Sequence, residues 1–198
     1  MNKPAGGADT PGYYRRMQAA VEELLILRGV MTQDELDRRV TDMDARTYKR
    51  GAQVVARAWV DPVYKARLLA EPRTATAELG IDIGPTHLIV VEDTSKVHNI
   101  VVCTLCSCYP RMLLGVPPHW YKCREYRSRV VREPRAVLAE FGTALPPDVD
   151  IRVHDSTADM RYMVLPLRPA GTEHLGEAAL AELVTRNSLI GVGLPNAS

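Results

Sequence analysis

The sequence predicts an α+β protein: a helical N-terminal arm followed by a layered α/β C-terminal domain that carries a cysteine-rich loop. Three observations support this. Apolar residues recur at helical spacing through the first 80 residues. At Gly80 the pattern changes to short β-branched runs separated by helical stretches. One of those runs, Ile100-Val101-Val102, leads straight into Cys103-Thr104-Leu105-Cys106-Ser107-Cys108, which places three thiols within six residues.

Residues 1–12 are small and rich in proline and glycine, and are expected to be flexible. Over 13–28 the spacing of Met17, Val21, Leu24 and Leu25 predicts a helix, which Gly29 can end. Thr32-Gln33-Asp34-Glu35 has the form of a capping box and opens a second helix. A third is expected over 47–59, with Val54, Val55, Ala58 and Trp59 on its apolar side. Asp61-Pro62, a cap followed by a first-turn proline, starts a further short helix. Strands are expected over 87–91, 99–102, 150–154 and 162–167, with helices over 134–141 and 177–185. This divides the chain into a terminus (1–12), a helical arm region (13–80) and a metal-binding α/β domain (81–198).

Composition narrows the function classes. Of 198 residues, 46% are hydrophobic and 25% charged, as in an ordinary globular protein, and the net charge of +1 gives no reason to expect nucleic acid or an acidic membrane as partner. No apolar stretch approaches the roughly 20 residues that span a bilayer. The run Met1-Asn2-Lys3-Pro4-Ala5-Gly6-Gly7 lacks the apolar core of a signal peptide, so a cytoplasmic location is expected. Four cysteines, three of them clustered, do not resemble a disulfide framework. The chain has no GxSxG, HExxH, P-loop or GxGxxG motif.

The cysteine run therefore carries the chemistry. A strand that ends in a loop, closed by Tyr109-Pro110, can aim three sulfurs at one centre only if the loop curls around a metal. The curl also turns the peptide nitrogens of Ser107 and Cys108 inward. Three sulfurs and two amide nitrogens make a square pyramid with a sixth position open. Thiolates select late transition metals over magnesium or calcium. Zinc takes four side-chain ligands in a tetrahedron, usually as two separated pairs, and no second Cys/His pair is present at that spacing. A deprotonated amide is a strong donor that suits a low-spin trivalent ion, so cobalt(III) or iron(III) is the expectation. A zinc knot or a redox CxxC is the plainer alternative.

The run from Ile100 to Pro110 resembles the metal-claw segment of the nitrile hydratase alpha subunit. The likeness continues through Leu114-Gly115-Val116-Pro117-Pro118-His119-Trp120-Tyr121-Lys122 and Tyr126-Arg127-Ser128-Arg129-Val130-Val131. It resumes at Arg161-Tyr162-Met163-Val164-Leu165-Pro166, Arg168-Pro169-Ala170-Gly171-Thr172-Glu173 and Leu183-Val184-Thr185-Arg186. Thr104 after the first cysteine and Tyr109 after the last resemble the cobalt type, since the iron type usually has serine at the Thr104 position. The resemblance implies a metal site of Cys103, Cys106, Ser107 and Cys108. Cys103 would stay a thiolate, Cys106 would become a sulfinic acid and Cys108 a sulfenic acid, the last ordinarily a transient species. It also implies catalytic roles for Cys108 and Ser107. The Cys108 sulfenate oxygen would act as nucleophile or as base toward water, and the Ser107 hydroxyl would lie near the open position. The implied partners are a beta-type subunit whose arginines hold those oxygens and around which the arm wraps, a cobalt-insertion activator protein, and a small-molecule nitrile. The metal-bearing subunit of thiocyanate hydrolase shares the claw and is the nearest alternative. A zinc-binding interaction protein is the alternative of a different class.

Other residues invite sharp and plain readings. Arg161 fits either a role at the claw or subunit interface, or a surface ion pair. Cys123 fits a buried, inert thiol better than an extra ligand. Lys122, Arg124, Arg127, Arg129, Arg132 and Arg135 form a basic run interrupted by Glu125 and Glu133, which reads as a solvated face or a partner contact. His154, Asp155 and Ser156 are strand neighbours that face alternate sides, so they form no triad. Trp120 and Tyr121 read as core, with pocket lining as the sharper alternative. Arg111-Met112 stands where many relatives of the family have Trp-Pro, and Gly84-Pro85 where they have Gln-Gly. The Gln-Gly pair supports the claw in the family. Flexible Arg and Met in place of a rigid indole point to a pocket for a larger, polar nitrile, such as a cyano-substituted nucleoside of the toyocamycin kind, for which the beta part is split into two chains. The plainer alternative is that Arg111 faces the partner and forms an ion pair.

Overall fold

A computed structural model describes residues 11–106 and 108–197. Most of the expected flexible terminus, and the expected amide ligand at Ser107, lie outside the described residues. The chain divides into two compact units between Ala45 and Arg46.

The first unit contains α1 (Pro11–Leu27) and α2 (Gln33–Asp44). The capping box forms as the sequence predicts: the Thr32 hydroxyl accepts from the Glu35 amide at 3.2 Å, and the Glu35 carboxylate accepts from the Thr32 amide at 2.8 Å. Neither helix buries an apolar stripe of its own. Tyr13, Met17, Val21, Leu24 and Leu27 of α1 are all at least 40% exposed, and no residue of α2 is buried.

The second unit opens with three helices, α3 (Lys49–Val60), α4 (Pro62–Ala70) and α5 (Pro72–Glu78). Asp61 caps α4, its carboxylate accepting from the amides of Val63 and Tyr64, both at 2.9 Å. The strands are β1 (His87–Glu92), β2 (Val97–Val102), β3 (Asp150–Asp155) and β4 (Met160–Leu165). Between β2 and β3 lie α6 (Arg111–Leu114), a 3-10 turn (His119–Lys122), α7 (Arg124–Arg129) and α8 (Pro134–Glu140). The chain closes with α9 (Glu177–Leu183) and α10 (Arg186–Ile190). The helix expected over 177–185 ends at Leu183, and a further helix that the sequence reading lacked follows it. Thr185 separates the two, because its hydroxyl caps the second helix by accepting from the Ser188 amide at 3.1 Å.

The strands pair as two parallel ribbons, β1 with β4 and β2 with β3. Parallel pairing needs long crossovers, and the crossover from β2 to β3 holds the cysteine loop and the helices that follow it. One apolar core joins Val54, Val55 and Ala58 of α3, Tyr64 and Leu68 of α4, Ile100, Val101 and Val102 of β2, and Met163 and Val164 of β4. The helices from 49 to 78 therefore belong to the same unit as the strands. β2 is buried along nearly all its length, so the claw starts from a fixed base. Gly191, in the left-handed region at φ +85°, ends α10. A side-chain carbon there would lie 1.8 Å from the Asn99 carbonyl oxygen of β2.

Candidate metal centre

The three thiols of the loop converge. Their sulfurs all lie within 4.8 Å of one another. Cys103 and Cys106 are 3.6 Å apart and Cys106 and Cys108 are 3.2 Å apart. Two sulfurs bonded to one metal at about 2.3 Å lie about 3.3 Å apart at a right angle and about 3.8 Å apart at the tetrahedral angle. The cluster fits a single late transition metal held by thiolates. Cys103 is fully buried and Cys108 nearly so, whereas Cys106 is exposed. Desolvation, reinforced by the Cys106 and Cys103 sulfurs and opposed by Arg161, pushes the Cys108 thiol up to about 12. A thiol so placed holds its proton until a cation supplies the compensating charge, and a coordinating thiol is then deprotonated outright.

The register of the β2–β3 ribbon positions the loop. Val102 pairs with Asp155, so the end of β3 lies beside the start of the claw. Asp155 accepts from the Thr104 amide at 2.9 Å and from the Thr104 hydroxyl at 2.5 Å. The threonine that marks the cobalt type in the resemblance is therefore a structural anchor. Main-chain oxygens of β2 and of the loop accept from side chains that follow the claw. Tyr126 donates to Val101 O at 2.7 Å, Arg127 Nη1 to Cys106 O at 2.9 Å, and Tyr121 to Cys108 O at 2.9 Å. Burial pushes both tyrosine hydroxyls well up, so they remain donors. The sequence reading assigns Asp155 no role, places Tyr121 in the core and puts Arg127 in a solvated or partner-facing run, since their part in holding the loop depends on strand register and on where α7 lies.

A cavity of about 400 Å³ opens beside Cys106 and Cys108, lined also by Arg111, Met112, Arg161 and Pro85. Arg161 makes no ion pair among the described residues. Its guanidinium donates to the carbonyls of Thr157, Ala158 and Met160, which turns it along the cavity wall. Arg111 is exposed there, and Gly84 lies against Met112, to whose side chain an added Cβ would come within 3.3 Å. Trp120 and Tyr121 do not line this cavity. Tyr121 is fully buried, and Trp120 packs on Tyr126 and Phe141 with ring centres 4.9 and 4.7 Å apart. Cys123 is half-buried rather than buried and lies outside the cluster, 3.7 Å from His119 Nδ1. The basic run is not simply a solvated face. Arg129 pairs with Glu133 and Glu140, Arg135 donates to the carbonyls of Leu145, Pro146 and Val149, and Arg127 reaches the claw.

The sequence profile of the family described as "Nitrile hydratase, alpha chain" matches residues 13–193. The chain belongs to the nitrile hydratase alpha-chain family. It is 51% identical over 178 residues to the low-molecular weight cobalt-containing nitrile hydratase subunit alpha of Rhodococcus rhodochrous, covering 89% of this chain and 86% of that one. It is 42% identical over 207 residues to the thiocyanate hydrolase subunit gamma of Thiobacillus thioparus, covering 98% of this chain and 84% of that one. In three dimensions it matches a double mutant of the Fe-type nitrile hydratase from Comamonas testosteroni Ni1 with a TM-score of 0.89 at 42% identity, covering 95% of this chain and 93% of that one. The run from Cys103 to Pro110 lies between β2 and α6 in the chain order. No helix among the described residues is long and apolar enough to cross a membrane.

Proposed function

We propose that this chain is the metal-bearing alpha subunit of a nitrile hydratase, hydrating a nitrile to the corresponding amide at a low-spin cobalt(III) centre. The observation that carries the reading is the convergence of the Cys103, Cys106 and Cys108 sulfurs within 4.8 Å at the end of a buried strand, in a chain of this family. Those cysteines would hold the ion, with the amide nitrogens of Ser107 and Cys108 completing the set. When bound, the ion supplies Lewis acidity, which polarises a nitrile carbon or acidifies water. Cobalt is favoured over iron by the cobalt-containing relatives and by threonine rather than serine at position 104, which the resemblance ties to the cobalt type.

The chain's own groups divide the remaining work. Cys108, at the cavity floor, would carry a sulfenate oxygen that takes a proton from water or attacks the nitrile carbon. Cys106 would carry a sulfinate whose oxygens face the partner. The Ser107 hydroxyl would orient water beside the open position. Arg161 and Arg111 line the cavity wall. A beta-type subunit, in one chain or two, would supply arginines to the claw oxygens, and an activator protein would deliver the metal. A cytoplasmic location is consistent with this reading.

The test is metal analysis and turnover of the assembled complex. One cobalt per alpha chain and conversion of a nitrile to its amide support the reading, while zinc in place of cobalt or iron refutes it. Thiocyanate hydrolysis is the second reading, favoured by the 42% identity to the gamma subunit over nearly the whole chain. Thiocyanate turnover without nitrile turnover would decide for it. Arg111 and Met112 beside Cys108 further favour a large polar nitrile. A specificity constant for a cyano-substituted heteroaromatic nucleoside above that for acrylonitrile is expected, and the reverse order overturns this substrate assignment.

A further inference from the structure

The segment after the claw reaches back to main-chain oxygens of β2 and of the loop: Tyr126 to Val101 of β2, Arg127 to Thr104 and Cys106, and Tyr121 to Cys108. Two of these donors are neutral hydroxyls. Arg127 alone brings a positive charge, and it lands on the middle cysteine of the three. Its backbone is fixed by the neighbouring Tyr126, which is buried and packed on Trp120 and Phe141. Its Nε–H is buried without an acceptor, a desolvation penalty that an incidental surface contact would not sustain.

We infer that Arg127 is a positioning residue for the metal centre: through the Cys106 carbonyl it fixes the peptide that follows Cys106 and offsets the negative charge gathered on the loop. The inference rests on the metal-bearing role proposed above. Thiolates and deprotonated amides around a trivalent ion leave the centre net negative. The carbonyl of Cys106 shares one peptide unit with the nitrogen of the next residue. When that nitrogen is a ligand, its charge is delocalised onto this same oxygen, where a guanidinium meets it with a charge-assisted bond. A lysine can supply the charge but not the planar fork, and a methionine supplies neither.

The test uses the assembled, cobalt-loaded complex with Arg127→Met, Arg127→Lys and, as a structural control, Tyr126→Phe. The readouts are the sulfur-to-metal absorption band, the rate of cobalt loss to a chelator, and the thermal midpoint. Arg127→Met is expected to shift the band and to release cobalt about tenfold faster, the loss that one charge-assisted hydrogen bond implies, with little change in midpoint. Arg127→Lys should recover part of both. Tyr126→Phe should lower the midpoint and leave the band in place. An Arg127→Met complex with the wild-type band and release rate overturns the inference, as does a band that moves equally in Tyr126→Phe. Should Arg127→Met fail to assemble, Arg127→Gln decides, since it keeps a donor and removes the charge: a displaced band supports the inference and an unchanged one overturns it. A wild-type complex without a sulfur-to-metal band refutes the metal-bearing role itself, and with it this inference.

Discussion

Removing one thiol from a three-sulfur cluster takes away a ligand that its neighbours cannot replace, because the remaining thiol, Cys123, lies against His119 and outside the cluster. Cys103→Ala, Cys106→Ala and Cys108→Ala should each abolish stoichiometric cobalt, and Cys123→Ser should retain it, as measured by elemental analysis of the purified complex. Cobalt at wild-type stoichiometry in any of the first three would refute the claw. A second titratable cluster lies deeper, at the far end of β2. The His98 ring contacts the Asp93 carboxylate at 3.3 Å and the Gly191 carbonyl at 2.8 Å, while Asn99 links Asp93 to His154. Burial pulls the His98 pKa down, but the Asp93 carboxylate and the Gly191 carbonyl together outweigh it, and the net shift is upward. A raised folded-state value means that the protonated ring stabilises the fold fully below the unfolded value of about 6.5 and loses that contribution as pH rises through the folded value. The urea midpoint should therefore fall above pH 6.5, and His98→Gln should flatten that slope. An unchanged slope in the variant would reassign the pH dependence elsewhere. The cysteines and the doubt over Arg161 were legible because ligand spacing is local. Asp155, Arg127 and the Asp93–His98 pair were not, since each acts across space on a residue at least five positions away.

At the level of elements, the capped helices and the strands were legible for a physical reason: Thr32, Asp61 and the β-branched runs act within a few residues of themselves. Short elements were less so. α5 and α7, of seven and six residues, hold too few turns to show a period. α10, of five residues, was not expected at all, for the same reason. Parallel pairing and its register had no sequence signal, and they decide that Asp155 meets Thr104. The glycines expose the same contrast between local and distant causes. Gly142 and Gly191 both sit in the left-handed region, at φ +80° and +85°, yet a Cβ at Gly142 meets nothing within 4 Å while one at Gly191 strikes the Asn99 carbonyl. Gly142→Ala should cost about 1 kcal/mol from backbone strain alone. Gly191→Ala should cost about 3 kcal/mol or more, because β2 and α10 must separate and the His98 contact goes with them. Denaturant unfolding of both variants measures the gap, and equal costs would mean that the α10–β2 contact yields easily.

At the scale of the whole molecule, the chain presents more than it can satisfy alone. Cys106 is exposed although it belongs to the proposed metal site, and the adjacent Leu105 is 85% exposed at the tip of the claw. In the first unit α1 shows Tyr13, Met17, Val21 and Leu24 on one helical stripe, each at least 40% exposed, and an amphipathic helix of this kind gains its stability from packing rather than from propensity. Both features are expected of a subunit that is completed by a beta-type partner. The prediction is that the alpha chain alone turns over nitrile far more slowly than the complex, and that mass spectrometry of the mature complex finds Cys106 dioxygenated and Cys108 mono-oxygenated. Val21→Glu with Leu24→Glu should weaken association by at least about a hundredfold, since two apolar side chains buried at an interface are worth roughly 1.5–3 kcal/mol each. Cobalt content should not change, because these residues lie outside the unit that holds the claw. Loss of activity with cobalt retained, restored by raising the partner concentration, is the expected pattern. Full turnover by the isolated chain would show that the partner is dispensable, and wild-type association by the double variant would move the interface away from α1.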